Sequence, residues 1–173
     1  MKRIMKLRMQ SIRWFFPVVM TLLLGACGEQ KAPKQGEMAP NFELTGLDGK
    51  PYSLKEQKGK LVLLNFWKDN CDVCKKEFPL MEEYYREFGG ENFEILAVYL
   101  GDSKSAPQEF KDNYDITFPL LKEGKDVAFG QYKIRATPTN YLITPEGKVI
   151  RKVVGFVDAQ QIKAILYNIK MNQ

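Results

Sequence analysis

The feature that most constrains the fold is the apolar run Leu61–Trp67, which is followed by a helix and then by a second apolar run. A strand that is apolar along its whole length is expected to be buried on both faces of a sheet. The helix is predicted over residues 71–88, where Gly89 ends it, and the second strand over residues 93–100. A strand, a helix and a strand in this order form a right-handed parallel unit, so the chain is expected to build a sheet with helices packed against it.

Shorter elements are predicted on both sides of this unit. Alternating apolar and polar residues around Asp48 and Gly49 indicate an N-terminal β-hairpin. Ser105 and Gln108 have the spacing of a capping box, which predicts a helix that ends near residue 113. The other predicted elements are a short strand at 117–121, a brief helix at 126–132, an antiparallel pair at 141–144 and 149–154 around the turn Pro145-Glu-Gly147, and a last helix that begins at Asp158 with Gln161 completing its cap.

A parallel pair of strands that continues into an antiparallel hairpin, with helices on both faces, is the layout of the thioredoxin fold. The predicted fold class is therefore α/β and thioredoxin-like, with a central mixed sheet flanked by helices. An N-terminal β-hairpin precedes this sheet, and a central insert separates the second strand from the last hairpin.

The N-terminal segment has the order of an export signal. A basic stretch that ends at Arg13 precedes an apolar run at 14–24 and then small residues. Residues 14–26 are too few to cross a hydrocarbon core of about 30 Å comfortably. The sequence Leu-Gly-Ala-Cys that ends at Cys27 resembles the bacterial lipobox, in which the cysteine carries lipid and becomes the mature N-terminus; the alternative is a short uncleaved anchor. We therefore predict a lipoprotein signal peptide at 1–26, a lipid-anchored linker at 27–40 and a thioredoxin-like domain at 41–173, outside the cytoplasm in the cell envelope.

The net charge of +5 does not indicate a nucleic-acid partner. Five of the 26 Lys and Arg residues lie within the first 26 positions, where there is no Asp or Glu. The rest of the chain carries 21 basic and 21 acidic residues, so the folded part is neutral and no nucleic-acid binding is predicted.

The chain contains no histidine, which excludes Ser-His-Asp and Cys-His catalysis and histidine-ligated zinc or haem. If Cys27 carries lipid, the remaining cysteines are Cys71 and Cys74, too few for a structural zinc site, which takes four ligands. A single pair in an exported domain can cycle between dithiol and disulfide without an odd thiol to scramble it. Redox chemistry is therefore predicted, with no metal.

The sequence Cys71-Asp-Val-Cys74 lies where the first buried strand turns into the helix. The helix N-terminus stabilises an anion there and lowers the pKa of the first thiol below its usual value of about 8.5. Cys74, one turn inside the helix, is placed to attack the mixed disulfide that Cys71 forms. Pro79 lies inside the helix and is expected to kink it. By itself a C-x-x-C pair also fits half of a zinc site, but its place in an exported chain without histidine favours the redox interpretation.

Four segments resemble the TlpA/ResA-like branch of the thioredoxin superfamily, and the similarity runs from about residue 38 to the C-terminus. These segments are Asn65-Phe-Trp67, Cys-Asp-Val-Cys-Lys-Lys-Glu-Phe-Pro79, Ala136-Thr-Pro138 and Pro145-Glu-Gly-Lys148. The resemblance implies an extracytoplasmic enzyme that reduces protein disulfides, often those of apocytochrome c, and that receives electrons from a membrane thiol carrier. It implies no cofactor other than the Cys71–Cys74 disulfide. We also expect a monomer that is anchored to the lipid bilayer through Cys27.

The resemblance also assigns roles to individual residues. Cys71 is the nucleophile, Cys74 is the resolving thiol, and Pro138 is a cis proline. This proline places the backbone of Thr137 where it can pair with a substrate strand. Glu77 occupies the position of an active-site acid, which helps to deprotonate a buried thiol if burial raises its own pKa; the alternative is a solvated glutamate on the helix surface.

Other positions near the pair leave alternatives open. Trp67 is a candidate for contact with the substrate, or for packing against the turn that carries the cysteines. Thioredoxin itself has a buried Asp below its cysteine pair where this chain has Asn65, which strengthens the case for Glu77. Asn70 replaces the Trp that is usual in the family, and Asp72 adds a negative charge that opposes the thiolate.

Three other functions fit parts of the sequence. A peroxiredoxin reduces peroxides at a thiol, but its pocket needs a Thr three residues before the attacking cysteine, where this chain has Lys68. A thioredoxin-like copper carrier uses a C-x-x-x-C pair and a distant His, although two thiolates also suit Cu(I). A lipid-anchored scaffold with unused cysteines is the third. Peroxide consumption, metal titration and thiol trapping of partners distinguish these functions from disulfide exchange.

Overall fold

The computed structural model describes residues 31–157 and 159–171. Within these residues, the strands are β1 (Glu43–Thr45), β2 (Pro51–Ser53), β3 (Leu61–Trp67), β4 (Phe93–Tyr99), β5 (Leu120–Leu121), β6 (Thr139–Ile143) and β7 (Val149–Val154). The helices are α1 (Asp72–Phe88), α2 (Ala106–Asn113) and α3 (Ala159–Met171), with a short 3-10 helix at Lys55–Gln57 and a π-helical turn at Asp126–Gln131. Gly147 closes the turn between β6 and β7, as predicted: its N–H donates to the carbonyl of Thr144 at 2.8 Å, and its φ of 91° suits glycine.

The central sheet has the strand order β5-β4-β3-β6-β7, and β1 and β2 form a separate small sheet. Strand β3 is parallel to β4 and antiparallel to β6, while β6 is antiparallel to β7. A parallel pair that continues into an antiparallel hairpin confirms the thioredoxin-like fold. The antiparallel pairing of β1 with β2 confirms the N-terminal hairpin.

Strand β3 lies at the centre of the sheet, and all seven of its residues are buried. Because successive side chains of a strand point to opposite faces, Leu61 and Leu63 pack with side chains from α1, α2 and α3. Val62 and Leu64 pack on the other face, with residues that flank the hairpin and residues of the π-helical turn. Two layers of core therefore hold β3 in place, and β3 leads directly into the turn that carries Cys71.

Part of the predicted linker belongs to the folded domain. The N–H of Gly36 donates to the carbonyl of Val149 at 2.8 Å, and the N–H of Ala39 donates to the carbonyl of Gly147 at 2.9 Å. These bonds attach residues 36–39 to the β6–β7 hairpin, so the domain boundary predicted at residue 41 is too late.

Three predictions fall on residues that the structure does not describe. The signal peptide at 1–26 and the lipidation of Cys27 lie outside the described ranges, and so does the helix start at Asp158. Among the residues that are described, no helix is both long and apolar enough to cross a membrane.

Helix α2 begins differently from the capping-box prediction, which was wrong. The backbone of Ser105 is already helical, and its side chain makes no capping hydrogen bond. The Oγ of Ser103 accepts a hydrogen bond from the N–H of Ala106 at 3.1 Å. The serine two positions earlier therefore supplies the acceptor that the first turn of α2 needs.

Candidate active site

Cys71 and Cys74 form a disulfide, and their Cα atoms are 5.2 Å apart. Cys71 is the N-cap residue of α1, where its Sγ accepts a hydrogen bond from the N–H of Cys74 at 3.2 Å. The same N–H and the helix dipole favour the thiolate of Cys71 once the disulfide is reduced. Cys71 is 8% exposed and Cys74 is fully buried. This difference in exposure suits Cys71 as the attacking thiol and Cys74 as the resolving thiol.

Opposite charges next to the cysteines partly offset each other. The carboxylate of Asp72 forms an ion pair with Lys75 at 3.4 Å, across one turn of α1. The pair is exposed to solvent, so it contributes little to stability. Asp72 therefore opposes the thiolate less than an unpaired acid would, while Lys76 stays exposed on the same helix. Asn70, which stands in place of the family's usual Trp, is also exposed.

The turn between β3 and α1 is attached to the end of β4. The hydroxyl of Tyr99 donates to Oδ1 of Asp69 at 2.7 Å, and the N–H of Leu100 donates to the carbonyl of Trp67 at 2.9 Å. Burial, followed by the neighbouring Asp69, raises the pKa of Tyr99, so its hydroxyl remains a donor. The sequence pattern does not indicate this contact, because it depends on where β4 ends relative to the turn.

Trp67 is fully buried, so the prediction that it contacts the substrate was wrong. Its ring packs against Phe78, Tyr99 and Phe110, with ring centroids 4.7, 4.9 and 4.6 Å away. It belongs to the same core cluster as the two cysteines. Trp67 therefore packs against the active-site turn, which is one of the two roles that the sequence left open for it.

Glu77 is also buried, with 1% of its surface exposed, and follows Cys74 by one turn on the buried side of α1. Its Oε1 accepts hydrogen bonds from Nδ2 of Asn140 at 2.9 Å and from the N–H of Val157 at 2.8 Å. Its Oε2 accepts from Nδ2 of Asn65 at 3.1 Å. Burial raises the pKa of Glu77 to about 7, while the three hydrogen bonds oppose a further rise. The alternative of a solvated surface glutamate was wrong, and a carboxyl that titrates near neutral pH can take up and return a proton.

Asn65 and Asn140 complete a buried polar cluster with Glu77. Nδ2 of Asn65 also donates to Oδ1 of Asn140 at 2.7 Å, and Nδ2 of Asn140 also donates to the carbonyl of Gly155 at 3.2 Å. Oδ1 of Asn65 is buried without a hydrogen-bond partner among the described residues. The sequence pattern indicated Asn65 but not Asn140, whose one signal is a polar side chain inside an apolar strand.

The Thr137–Pro138 peptide bond is cis, in agreement with the role that the resemblance assigns to Pro138. Thr139 pairs with Phe66 near the C-terminal end of β3, so Pro138 lies beside the segment that leads to the cysteines. The carbonyl of Pro138 accepts a hydrogen bond from the N–H of Gly155 at 2.8 Å. The residue after β7 therefore fixes this loop next to the C-terminal end of β3, where the chain continues to the disulfide.

Comparison with known proteins agrees with this geometry. The model of the AhpC/TSA family matches residues 35–152. The chain belongs to the AhpC/TSA family. Thiol-disulfide oxidoreductase ResA of Bacillus subtilis is 40% identical over 136 residues, which cover 79% of this chain and 76% of that protein.

Two solved structures resemble this family member closely. A putative thiol:disulfide interchange protein DsbE from Chlorobium tepidum has a TM-score of 0.70 and 30% identity, and the match covers 78% of this chain and 99% of that one. The exposed lipoprotein thioredoxin Etrx1 of Streptococcus pneumoniae has a TM-score of 0.61 and 31% identity, with coverage of 75% and 99%. Together with the Cys71–Cys74 pair, these similarities show a thiol-disulfide oxidoreductase that acts on disulfide-containing proteins, and they indicate an extracytoplasmic location.

Proposed function

We propose that this enzyme reduces protein disulfides outside the cytoplasm and that apocytochrome c is among its substrates. The observation that carries the proposal is the Cys71–Cys74 pair at the N-terminus of α1 with the buried Glu77 one turn further along. The N-terminus of α1 favours the thiolate of Cys71, and Glu77 supplies a base for the resolving thiol of Cys74.

In the first step, the thiolate of Cys71 attacks one sulfur of the substrate disulfide. A mixed disulfide forms between Cys71 and the substrate, the substrate's own S–S bond breaks, and its second sulfur leaves as a thiolate that takes up a proton. The N–H of Cys74, which donates to Sγ of Cys71 at 3.2 Å, stabilises the attacking anion. The backbone of Thr137, beside the cis proline, pairs with the substrate strand.

In the second step, Glu77 takes the proton of the Cys74 thiol, and the resulting thiolate attacks Sγ of Cys71. The Cys71–Cys74 disulfide closes, the mixed disulfide with the substrate breaks, and the departing substrate sulfur takes up the proton that Glu77 received, so the substrate leaves as a dithiol. Two electrons have then moved from the enzyme to the substrate. A membrane thiol carrier returns them by the same exchange in the opposite direction, in which the carrier becomes the disulfide.

We also propose that Cys27 carries lipid and anchors the enzyme to the bilayer. The support is the export-signal order of the N-terminus, its lipobox-like end, and the similarity to a lipoprotein described as exposed. Because Pro33 is buried and Lys31 and Ala32 line a groove of the domain, the free tether comprises residues 28–30, which reach about 10 Å at full extension. The mass of the mature chain from membranes tests this directly, since an unmodified Cys27 would contradict it.

The direction of exchange is tested by the reduction potential of the Cys71–Cys74 pair, measured on the full chain in a neutral detergent in defined thiol-disulfide buffers. A value near the roughly −270 mV of thioredoxin supports a reductant. A value near the roughly −120 mV of DsbA would make the enzyme a disulfide donor and overturn the proposed direction. If no disulfide forms in any buffer, the exchange mechanism itself is wrong.

The substrate class is tested by trapping. Cys74→Ser lacks the resolving thiol, so it is expected to remain covalently attached to a substrate, whereas Cys71→Ser is the matched control that cannot start the exchange. The probe is a peptide with a disulfide across the C-x-x-C-H segment to which c-type haem is attached. An adduct with Cys74→Ser alone supports the proposal, and a failure to trap this peptide while other protein disulfides are trapped removes apocytochrome c from it.

A further inference from the structure

A groove with a volume of about 640 Å³ opens beside the Thr137–Pro138 loop. Four of its lining residues are basic, and among the described residues no acidic side chain lines it. The basic residues are Lys31, Lys133, Arg135 and Lys152. We call this feature the basic groove.

The four cations of the basic groove form no ion pair with any carboxylate of the described residues. Lys152 lies instead over the ring of Tyr141, with its Nζ 5.3 Å from the ring centroid. Beyond residue 26 the chain has as many acidic as basic residues, so four unpaired like charges in one concave site are a local excess. Such a site raises the local concentration of anionic groups.

The basic groove adjoins the place where the substrate strand is expected to pair. Ala136 and Thr139, which flank the Thr137–Pro138 bond, both line it. On β7, Val154 pairs with Thr139, and Lys152 lies two residues away on the same face of the strand. An extended chain that pairs with the backbone of Thr137 therefore continues along this groove.

We propose that the basic groove binds an acidic segment of the polypeptide whose disulfide is exchanged, so that the enzyme favours substrates with Asp or Glu residues near the reacting cysteine. This inference rests on the proposed reduction of protein disulfides at Cys71. A concave groove that begins at the substrate loop suits an extended chain with carboxylate side chains, whereas a flat layer of lipid headgroups does not enter it. Lys31 follows the proposed lipid anchor Cys27 by four residues, so the groove also lies near the membrane surface. The experiment must therefore distinguish binding of an acidic peptide from binding of anionic lipid.

The experiment uses the reduced full chain in a neutral detergent and two disulfide peptides that differ only in carrying Glu or Gln around the cysteines. The test variant combines Lys133→Glu and Arg135→Glu, which reverses two charges of the basic groove. The matched control combines Lys104→Glu and Lys122→Glu, two cations that line a separate surface groove. Second-order rates of disulfide reduction are measured at low and high salt. The uncharged 2-hydroxyethyl disulfide reports the chemistry of Cys71 itself.

The wild type is expected to reduce the Glu peptide about ten times faster than the Gln peptide at low salt, and high salt is expected to remove the difference. The test variant should lose this preference while it reduces 2-hydroxyethyl disulfide at the wild-type rate, and the control should keep it. Equal rates for the two peptides in the wild type, or a preference that survives in the test variant, would overturn the proposal.

Two further outcomes are distinct. If the wild type fails to reduce 2-hydroxyethyl disulfide, the proposed function fails rather than the basic groove. If the test variant keeps its peptide preference but binds phosphatidylglycerol vesicles less tightly relative to phosphatidylcholine vesicles, the groove binds lipid headgroups and the proposal is wrong.

Discussion

Replacing Asn140 by Leu is expected to raise the pKa of Glu77 above its value of about 7. Leu has nearly the shape of Asn but removes the hydrogen bond of 2.9 Å from Nδ2 of Asn140 to Oε1 of Glu77. That bond favours the ionised carboxylate, and a hydrogen bond to a charged group stabilises it by about 1.5–3 kcal/mol. Since one pKa unit corresponds to about 1.4 kcal/mol, the midpoint should rise by roughly one to two units. The bonds from Val157 and Asn65 remain, so Glu77 still titrates.

The assay is carbon-13 NMR of the side-chain carboxyl of Glu77, followed through a pH titration of the oxidised enzyme. In this form the cysteines are in a disulfide and do not titrate, so the midpoint of the titration reports the pKa of Glu77. Glu77→Gln assigns the signal by removing it. Thr117→Val is the matched control. It removes the hydrogen bond of 2.7 Å that the hydroxyl of Thr117 donates to Glu82, the other buried acid of α1, and it leaves the hydrogen bonds of Glu77 unchanged.

A shift of one to two units in the Asn140→Leu variant, with none in Thr117→Val, should be mirrored in the reduced enzyme. There, the pH at which the rate of substrate release is half-maximal moves upward by the same amount if Glu77 deprotonates Cys74. An unchanged or lower midpoint for Glu77 would refute the reasoning, because it would mean that Asn140 does not stabilise the ionised acid.

Three more predictions concern stability and are measured by denaturant unfolding. The pKa of Glu77 in the folded state, about 7, lies above its ordinary value of 4.5. The contribution of Glu77 to stability is therefore complete below pH 4.5 and is lost as the pH rises through 7. Over this range the free energy of unfolding of the wild type should fall by about 3 kcal/mol more than that of Glu77→Gln. Ser103→Ala should lower the free energy of unfolding by about 1 kcal/mol through the lost cap, and an equal loss in Ser105→Ala would contradict the cap assignment. Glu82→Ala should lower the free energy of unfolding by roughly 2–4 kcal/mol, because the carboxylate accepts hydrogen bonds from the N–H and the hydroxyl of Thr117 at 2.8 and 2.7 Å. A loss below about 1 kcal/mol would show that these hydrogen bonds do not form in solution.

The elements that the sequence predicts correctly are those whose signal is local. The run Leu61–Trp67 is apolar throughout because both faces of β3 are covered, and the strand has the predicted bounds. The disulfide partners follow from their spacing and from the strand-to-helix turn that carries them. Ser105 was misassigned because the spacing of a capping box does not reveal which serine already has a helical backbone.

The features that the sequence does not reveal depend on contacts between distant segments. Asn140 meets Glu77 across 63 positions of the chain, and only the pairing of β6 with β3 brings them together. The burial of Trp67 likewise follows from α2, whose Phe110 covers its ring. The sequence pattern of an aromatic residue just before the cysteines does not indicate whether its ring faces the core or the substrate.

The environment of Glu77 and the position of the substrate loop depend on the same strand register. Asn140 holds Oε1 of Glu77 and the carbonyl of Gly155, and the N–H of Gly155 holds the carbonyl of Pro138. Successive residues of β6 face opposite sides of the sheet, so a shift of one residue would turn the amide of Asn140 away from the acid and would displace Pro138 at the same time. A substitution that loosens β6 against β3 is therefore expected to change the pKa of Glu77 and the pairing of the substrate strand together, whereas one that acts on Glu77 alone should change only the pH dependence.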